Sequence, residues 1–556
     1  MQQRIFIGVA WPYVNGDIHI GHLAGYLLPA DIFARFHRAK GNEVLMVSGS
    51  DCFGTPITLE AEKRGVPPGE IVAEYHAKDV ALFRDLEISF DRYTKTDTAN
   101  HIAVSQDIFL TLLKKGYIFK GTSEQYYSPD TERFLPDRYV EGTCLRCGYL
   151  DARSDQCDQC GSVLEPGILG SPRSKTSGKS VILKPTEHYF LDWSKLSDFL
   201  TEYVQAKAGG WREWVKNETE GWLREGLKPR PITRDIEWGV PVPHEQIPES
   251  QKLNGAEHKR IYVWFEAVIG YLSASREWAE GTERWKEFWY GDVTHYYFMG
   301  KDNLVFHTLF WPGELYAYDE GLHLPDVPVI NQFLTLEGKK FSKSRGITID
   351  SRYLVETYGL DPVRFYLCSI MPEQTDTNFS WEDFVKKHND LLIGTFGNFI
   401  NRTLTLGKGI VFSNGEKIDA SVEAEVAERI GDARTALEQC EFKRYVTVLL
   451  SLADFGNKYV SAKEPWFIKD RTEFASVVEN ALFIVLGLFL VSQPLLPATC
   501  KRLSELLGVP VPPWRIPEIH ILRALLPHLW IQTSEPLFQK IDAGIIDSER
   551  AKLDGR

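Results

Sequence analysis

The chain has 556 residues with 63 Lys or Arg, 76 Asp or Glu and a net charge of −13. Its composition, 43% hydrophobic and 25% charged, is that of an average globular protein and excludes a disordered, collagenous or fibrous chain. The longest apolar run, residues 481–491, is shorter than the ~20 residues of a membrane span, and no signal peptide is visible in residues 5–11. We therefore expect a cytoplasmic protein of three or four domains that does not enter a membrane.

The first fifty residues alternate apolar segments with a helical one. Arg4–Ala10 predicts a buried strand, and Glu43–Ser48 predicts a second strand. Between them we expect a helix that begins at His19, breaks at Pro29 and is capped by Gly41. This order is typical of a parallel α/β sheet with a ligand site at the carboxyl edge of its strands.

The rest of the chain changes character twice. Residues 117–230 carry clustered cysteines and tryptophan-rich helices, and we interpret them as an insertion with its own small core. The α/β pattern resumes at Ile261–Trp264 and Thr294–Met299. Beyond Pro372 helices dominate, and residues 384–406, 422–439, 445–462 and 474–491 have the apolar spacing of amphipathic or buried helices. The Pro- and Leu-rich last forty residues are expected to pack back on the body.

Four of the eight cysteines have metal-binding spacing: Cys144, Cys147, Cys157 and Cys160. Two Cys-x2-Cys turns supply four thiolates at tetrahedral geometry, which suits Zn²⁺. Two unrelated cysteine pairs or a redox dithiol are the alternatives. Since cysteine fills all four positions, the predicted site is closed and structural, with no open position for catalysis.

Two short segments have features of phosphate binding. His19-Ile20-Gly21-His22 places two histidines on one face where a helix begins, and helix N-termini attract anions. By itself this pattern is more often a surface pair or part of a metal site. The second segment, Lys340-Phe341-Ser342-Lys343-Ser344, suits the charge that develops on a departing pyrophosphate, although a solvated basic loop is the common alternative. Gly178-Lys179-Ser180 is not a P-loop, because Arg173 replaces the required glycine.

In this order the two segments resemble the HIGH and KMSKS signatures of class I aminoacyl-tRNA synthetases, with Phe341 in place of methionine. Further segments are similar to the methionyl-tRNA synthetase family: Trp11–Gly16, Asp51–Pro56, Phe134–Arg138, Tyr262–Tyr271, Gly300–His307 and Lys463–Trp466. The similarity covers nearly the whole chain. Departures such as Trp11 and Asn303, where relatives have leucine and isoleucine, concern the shape of the substrate pocket.

The resemblance implies an α/β fold, in which a zinc-containing insertion splits a Rossmann-type parallel-sheet catalytic domain and an α-helical bundle binds the anticodon. The implied boundaries are 1–116 and 231–325 for the two catalytic halves, 117–230 for the connective insertion with its zinc knuckle, 326–372 for the KMSKS-loop and stem-contact region, and 373–556 for the helical domain with its C-terminal tail.

The implied function is that of a methionine–tRNA ligase. The family activates L-methionine with ATP to methionyl-adenylate plus pyrophosphate, then transfers methionyl to the 3′ end of tRNA(Met) for translation initiation and elongation. One structural Zn²⁺ per chain and Mg²⁺ with ATP are the implied metals. Because the chain stops soon after the helical domain, we expect a monomer.

The resemblance also implies site residues. His19, His22, Lys340 and Lys343 would be catalytic, and Gly21 and Ser342 would join them in binding ATP. The methionine-binding set would be Trp11, Tyr13, Asp51, Arg234, Trp264, Ala267, Tyr271 and His307. In it Asp51 is expected to pair with the α-ammonium, and Arg234 with the reacting carboxylate or phosphate. The anticodon would be bound by Asn398, Arg402 and Trp466, because tryptophan offers a stacking face for an unpaired base.

Other functions fit less well. Isoleucyl, valyl and leucyl enzymes carry a long editing insertion, for which residues 117–230 are too short. Cysteinyl enzymes hold their substrate thiol on zinc, which a closed four-cysteine site does not permit. A catalytically inactive tRNA-binding paralogue is disfavoured by two intact signatures. A nucleotidyltransferase without a tRNA role leaves the helical domain and Trp466 unexplained.

Overall fold

The computed structural model describes residues 2–136, 139–154, 157, 159–160, 164, 167–341, 347–412 and 418–554. Its centre is a five-stranded parallel sheet. From one edge to the other the strands are Val327–Asn331, Thr294–Gly300, Arg4–Val9, Glu43–Ser50 and Arg92–Lys95. The predicted parallel α/β class is therefore confirmed, and the first strand lies in the middle of the sheet.

The helix after the first strand passes through Pro29 without ending, so the predicted break is wrong. It consists of Ile20–His22, the π-helical turn Leu23–Leu27 and Leu28–Ala39. Proline has no N–H, which leaves the Gly25 carbonyl without its α-helical donor. The buried Asn331 amide donates to that carbonyl at 2.8 Å, so the last strand of the sheet supplies the missing bond. The helix then ends before Gly41, whose φ of 86° confirms the predicted cap.

An insertion with its own core leaves the sheet after the helix Ala99–Lys114. The long strands Ile118–Ser128 and Ile182–Leu191 pair antiparallel at its base. Beyond them the cysteines lie on or beside a three-stranded sheet of Val140–Cys144, Ala152–Arg153 and Leu169–Ser174. Around Cys144, Ala152 and Cys157 a small hydrophobic core forms apart from the main one, as predicted. The prediction is wrong for the tryptophan-rich helical segments of the insertion, because Trp193, Trp211 and Val215 belong to the main core.

The chain returns to the sheet through short elements. Helices Ser197–Lys207 and Glu213–Glu225 are followed by a three-stranded antiparallel sheet of Thr233–Arg234, Val240–Pro241 and Arg260–Ile261. The α/β pattern expected at Ile261–Trp264 therefore gives only two residues of strand. From Val263 the chain is helical, in Val263–Glu266, Ala267–Ile269 and Gly270–Trp278, because this segment curves around a cavity at the edge of the main sheet. Further helices are Trp311–Tyr318, Ser351–Tyr358 and Leu360–Ser369.

The C-terminal part is helical, as predicted. Its helical segments are Trp381–Lys387, His388–Gly397, Asn398–Leu406, Ala420–Glu438, Phe442–Lys463, Arg471–Ser492, Pro497–Leu507, Glu518–Leu525 and Ile545–Asp554. Arg471–Ser492 is long and apolar enough to cross a membrane, with a mean hydropathy of 2.2 over its most apolar window. Since 83% of that window is buried inside the protein, it has the character of a core helix.

The last helix packs against the segment around the second signature, so the prediction for the tail is confirmed. Glu549 accepts hydrogen bonds from the hydroxyls of Tyr353 and Tyr358. Arg550 lies 3.3 Å from Glu337. Glu337 and Gly338, with φ of 47° and 75°, form the turn that immediately precedes Lys340.

A buried ion pair joins the sheet to the helical part. Arg364 Nη2 lies 2.7 Å from Asp31 Oδ2 on the first helix, and Arg364 Nε donates to the Leu495 carbonyl at 2.8 Å. The two side chains are 2% and 0% exposed. Burial alone would raise the pKa of Asp31, but the charges of Arg364 and Arg35 and two hydrogen bonds from Ser89 outweigh it, so the pKa lies below its usual value.

We expect Arg364→Leu to destabilise the protein by up to about 3–5 kcal/mol, because Asp31 keeps only Arg35 as a cationic partner and the buried Leu495 and Pro494 carbonyls lose their donor. Urea unfolding would measure the loss. The control is Lys386→Ala, which breaks an exposed pair with Asp390 and is expected to change stability by about 1 kcal/mol or less. Equal effects of the two substitutions would contradict this role for Arg364.

Candidate active site and metal centre

A cavity of about 370 Å³ opens at the carboxyl edge of the parallel sheet. Eleven of the predicted ATP- and methionine-binding residues line it: Trp11, Tyr13, His19, Gly21, His22, Asp51, Trp264, Ala267, Tyr271, His307 and Lys340. The two signature segments, which are far apart in sequence, therefore meet at one cavity. Beyond the ends of the strands Arg4–Val9 and Glu43–Ser50, the backbones of Tyr13 and Asp51 pair in a single parallel β-bridge.

Three predicted residues are not placed at this cavity. Ser342 and Lys343 lie outside the described residues. Arg234 is described, but its guanidinium lies over the Tyr262 ring at 3.9 Å and donates to the carbonyls of Pro231 and Thr233. Its expected contact with substrate therefore requires the side chain to leave Tyr262.

The two histidines are oriented by backbone amides. Gly21 N–H donates to His19 Nδ1 at 3.1 Å, and His19 N–H donates to His22 Nδ1 at 3.2 Å. In a neutral imidazole whose Nδ1 accepts a hydrogen bond, the proton is on Nε2. The fold therefore fixes the tautomer in which Nε2 of each histidine is the atom able to donate to a phosphate oxygen.

Aromatic stacking joins the second signature to the first. The Phe341 ring lies 4.5 Å from the His19 ring at an angle of 7°, and His19 stacks on His22 at 3.8 Å. A Cβ at Gly21 would lie 2.9 Å from His19 Nδ1 and 3.3 Å from Phe341. The packing of these rings therefore requires glycine at position 21. Close approach of a nucleotide would be a second reason for glycine there.

Asp51 in the cavity wall and the buried Glu266 lie close enough to interact. Burial raises the pKa of Asp51 well above its usual value, and the negative charge of Glu266 raises it further. Glu266 is itself fully buried, and its Oε2 lies 2.8 Å from His101 Nε2. Two buried carboxyl groups close enough to affect each other favour a cationic ligand at Asp51.

Tyr271 and His307, on the aromatic side of the cavity, use their hydrogen-bonding groups within the protein. His307 Nδ1 donates to the Asn303 carbonyl at 2.9 Å, so its Nε2 accepts from the Tyr271 hydroxyl at 2.7 Å. Burial lowers the pKa of His307 to about 4, which keeps the ring neutral. Because both donors are used within the protein, this wall suits an apolar, polarisable side chain better than a hydroxyl or a charge.

Trp11, where relatives have leucine, is accommodated by two glycines. A Cβ at Gly49 would lie 2.1 Å from its indole ring, and a Cβ at Gly270 would lie 2.6 Å from it. The ring meets Tyr271 edge-on at 6.3 Å. The indole ring of Trp11 thus occupies space that a side chain at position 49 or 270 would otherwise fill.

Several lining residues were not assigned from the sequence: Tyr26, Asp302, Phe306, Gln332 and Asp376. Asp302 and Phe306 lie within the Gly300–His307 similarity, and Phe306 stacks on Trp264 at 4.3 Å. Helical periodicity would have found Tyr26, which lies one turn after His22 and contacts it. Gln332 and Asp376 belong to no motif, so the sequence offered no signal for them.

The four predicted cysteines form one cluster in the insertion. Their sulfur atoms lie within 4.8 Å of one another, with 3.9 Å between Cys144 and Cys160 and 3.6 Å between Cys147 and Cys157. Four sulfurs at ~2.3 Å from a tetrahedral Zn²⁺ are about 3.8 Å apart, so the donor set fits zinc. Gly148, with a φ of 78°, makes the expected turn after the first pair.

The predicted anticodon residues lie together on the helical part. Arg402 lies 5.5 Å from the centre of the Trp466 ring. Asn398 is one helical turn before Arg402 and therefore on the same face. The helices Asn398–Leu406 and Phe442–Lys463 approach each other closely at Gly456, where a Cβ would lie 2.3 Å from the Phe399 ring.

The parallel sheet, the cavity between two signature segments and the helical C-terminal part define a class I aminoacyl-tRNA synthetase. Residues 5–404 match the family described as tRNA synthetases class I (M), and residues 413–556 match the anticodon binding domain of methionyl tRNA ligase. The chain belongs to the methionine–tRNA ligase family, and its reaction is the ligation of methionine to tRNA.

Curated relatives agree over the full length. The chain is 44% identical to the methionine–tRNA ligase of Dehalococcoides mccartyi strain CBDB1, with 100% of both chains covered. It is 42% identical to that of Thermomicrobium roseum, with 100% of this chain and 99% of that protein covered. The fold resembles Mycobacterium tuberculosis methionyl-tRNA synthetase in complex with methionyl-adenylate, with a TM-score of 0.76, 24% identity and coverage of 97% and 100%.

Purified protein is expected to carry one zinc ion per chain by elemental analysis. Cys147→Ser, at an exposed ligand, should lower zinc content after dialysis, because only three thiolates remain. The control Cys368→Ser, at a buried cysteine outside the cluster, should leave zinc content unchanged. Protein without zinc, or equal loss in the two variants, would contradict the assignment.

Proposed function

We propose that the cavity divides the family's reaction between its two ends, with ATP between the histidines and the signature lysines and methionine against the aromatic wall. The observation that supports this proposal is the stacking of Phe341 on His19, together with one cavity that is lined by Lys340, Asp51 and Tyr271. One bound ATP could therefore contact both signatures.

In the first step a methionine carboxylate oxygen attacks the α-phosphate of ATP in line. A new P–O bond forms, the bond to the β-phosphate bridge breaks, and pyrophosphate leaves with the electron pair. No proton needs to move, so the residues act by positioning and by stabilising charge. His19 and His22 donate from Nε2 to phosphate oxygens, and Gly21 and Ser342 also bind ATP. Lys340 and Lys343 stabilise the leaving pyrophosphate, and Mg²⁺ enters with ATP.

Methionine is held by charge at one end and by aromatic contact at the other. Asp51 pairs with the α-ammonium, which the negative charge around it favours. Trp11, Tyr13, Trp264, Ala267, Tyr271 and His307 surround the thioether, and a sulfur–aromatic contact contributes about 0.3–1.5 kcal/mol. Arg234 binds the reacting carboxylate or phosphate after leaving Tyr262.

In the second step the methionyl group moves to the 3′-terminal adenosine of tRNA(Met), for both initiation and elongation. Asn398, Arg402 and Trp466 bind the CAU anticodon through polar contacts and base stacking. One structural Zn²⁺, held by the four cysteines, braces the insertion 117–230 where the acceptor end enters. The catalytic halves are 1–116 and 231–325, the stem-contact region is 326–372, and the helical domain is 373–556. The protein works as a monomer in the cytoplasm.

The roles of the lysines are tested by methionine-dependent ATP–pyrophosphate exchange. Lys343→Ala should lower the forward rate on the order of 100- to 1,000-fold, because the transition state loses a charged donor. Lys340→Ala should act in the same direction, whereas the exposed control Lys386→Ala should be neutral. An unchanged rate in Lys343→Ala would remove this lysine from the mechanism.

The role of Asp51 predicts a pH dependence. A raised pKa means that Asp51 takes up a proton above the ordinary carboxylate range of about 4. Protonation removes the charge that binds the ammonium, so the KM for methionine should rise as pH falls, with little change in kcat. Glu266→Gln removes one cause of the raised pKa and should move this rise to lower pH. The same pH profile in both proteins would contradict the proposed coupling.

A further inference from the structure

Phe467 is an exposed aromatic side chain beside the proposed anticodon surface. Its side chain is 71% exposed, more than the 48% of its neighbour Trp466. Exposing a large apolar side chain is unfavourable by about 25 cal/mol per Å² of apolar surface, so a folded protein ordinarily covers it. A bound partner that covered this ring would therefore gain the free energy of burying it.

The backbone holds both rings outward. The helix Phe442–Lys463 ends at Glu464, which has the left-handed values φ 42° and ψ 53°. The buried Pro465 anchors the following turn, and Phe467 N–H donates to the Glu464 carbonyl at 2.9 Å. A left-handed residue other than glycine costs roughly 1–2 kcal/mol, and such strain is concentrated at ligand-binding sites.

The rings of Trp466 and Phe467 face different directions. Their centres are 6.2 Å apart and their planes differ by 68°, so one flat base does not stack on both. Arg402 lies over the Trp466 ring, which makes Arg402, Trp466 and Phe467 one continuous surface. This surface fits two bases that have been unstacked from each other, which is how single-stranded RNA loops are bound.

The charge around the turn is mixed. Lys463, Lys469 and Arg471 flank the two rings in sequence and are exposed, but Glu464, Asp470 and Glu473 lie among them, and Lys463 pairs with Asp419 at 4.0 Å. Asp470 accepts hydrogen bonds from the amides of Thr472 and Glu473 at the start of the next helix. Arg402 is in contact with the Trp466 ring, and a cationic side chain beside an aromatic one is typical of surfaces that bind single-stranded nucleic acid.

We propose that Phe467 binds a second unpaired base of the tRNA anticodon loop, adjacent to the base on Trp466. The proposal rests on the proposed role of Trp466 and adds a second stacking position to it. An apolar protein partner is the other occupant that the exposed ring would suit, and the choice of variants separates the two.

The test measures binding of a tRNA(Met) transcript to the full chain and its methionine-dependent pyrophosphate exchange. Phe467→Ala should weaken tRNA binding about 5- to 100-fold, since stacking contributes ~1–3 kcal/mol per base. Phe467→Tyr should bind like the native protein, whereas Phe467→Leu, apolar but without a ring, should bind like Phe467→Ala. Exchange should be unchanged in all three. Full binding by Phe467→Leu would overturn stacking, and the comparison of Leu with Tyr decides the matter even if the alanine variant folds poorly.

An RNA hairpin of the anticodon loop identifies the base. With an abasic nucleotide at one loop position, Phe467→Ala should cause no further loss, while hairpins with an abasic nucleotide elsewhere should still lose affinity. Trp466→Ala should behave in the same way at a different loop position. Loss of binding in Trp466→Ala but not in Phe467→Ala would overturn this proposal alone. If neither substitution weakened binding, the proposed anticodon surface itself would be wrong.

Discussion

The contact between the His19 and Phe341 rings is the interaction on which the active site depends. It joins a segment at the start of the first helix to a segment that follows the last strand of the sheet, and it brings Lys340 to the cavity. The contact is local and aromatic, and the proposed admission of ATP would require a change in this contact but not in the sheet.

Charged side chains of opposite sign line this cavity. Asp51 and Glu266 are buried close enough for one to affect the other, while His19, His22 and Lys340 line the same cavity. In the proposed binding mode, the ammonium of a zwitterionic amino acid would face the carboxyl groups and its carboxylate would face the cations.

Strand patterning, helical spacing and cysteine spacing are local features, and they predicted three strands of the central sheet, the helical C-terminal part and the cysteine cluster. The resemblance to the family predicted eleven of the residues that line the cavity. What escaped prediction depends on distant partners. Pro29 does not break its helix because Asn331, three hundred residues later, supplies a hydrogen bond. Arg234 does not face the cavity because Tyr262 holds its guanidinium. Gln332 and Asp376 line the cavity only because the chain folds them there.

The packing of the last helix has a practical consequence for work with this protein. Arg550 contacts Glu337 on the turn just before Lys340, so the helix Ile545–Asp554 and the start of the second signature are held together. A tag that displaced this helix would remove a contact of that turn. The amino end precedes a strand through the exposed residues Gln2 and Gln3, and it is the better place for a tag or a surface anchor.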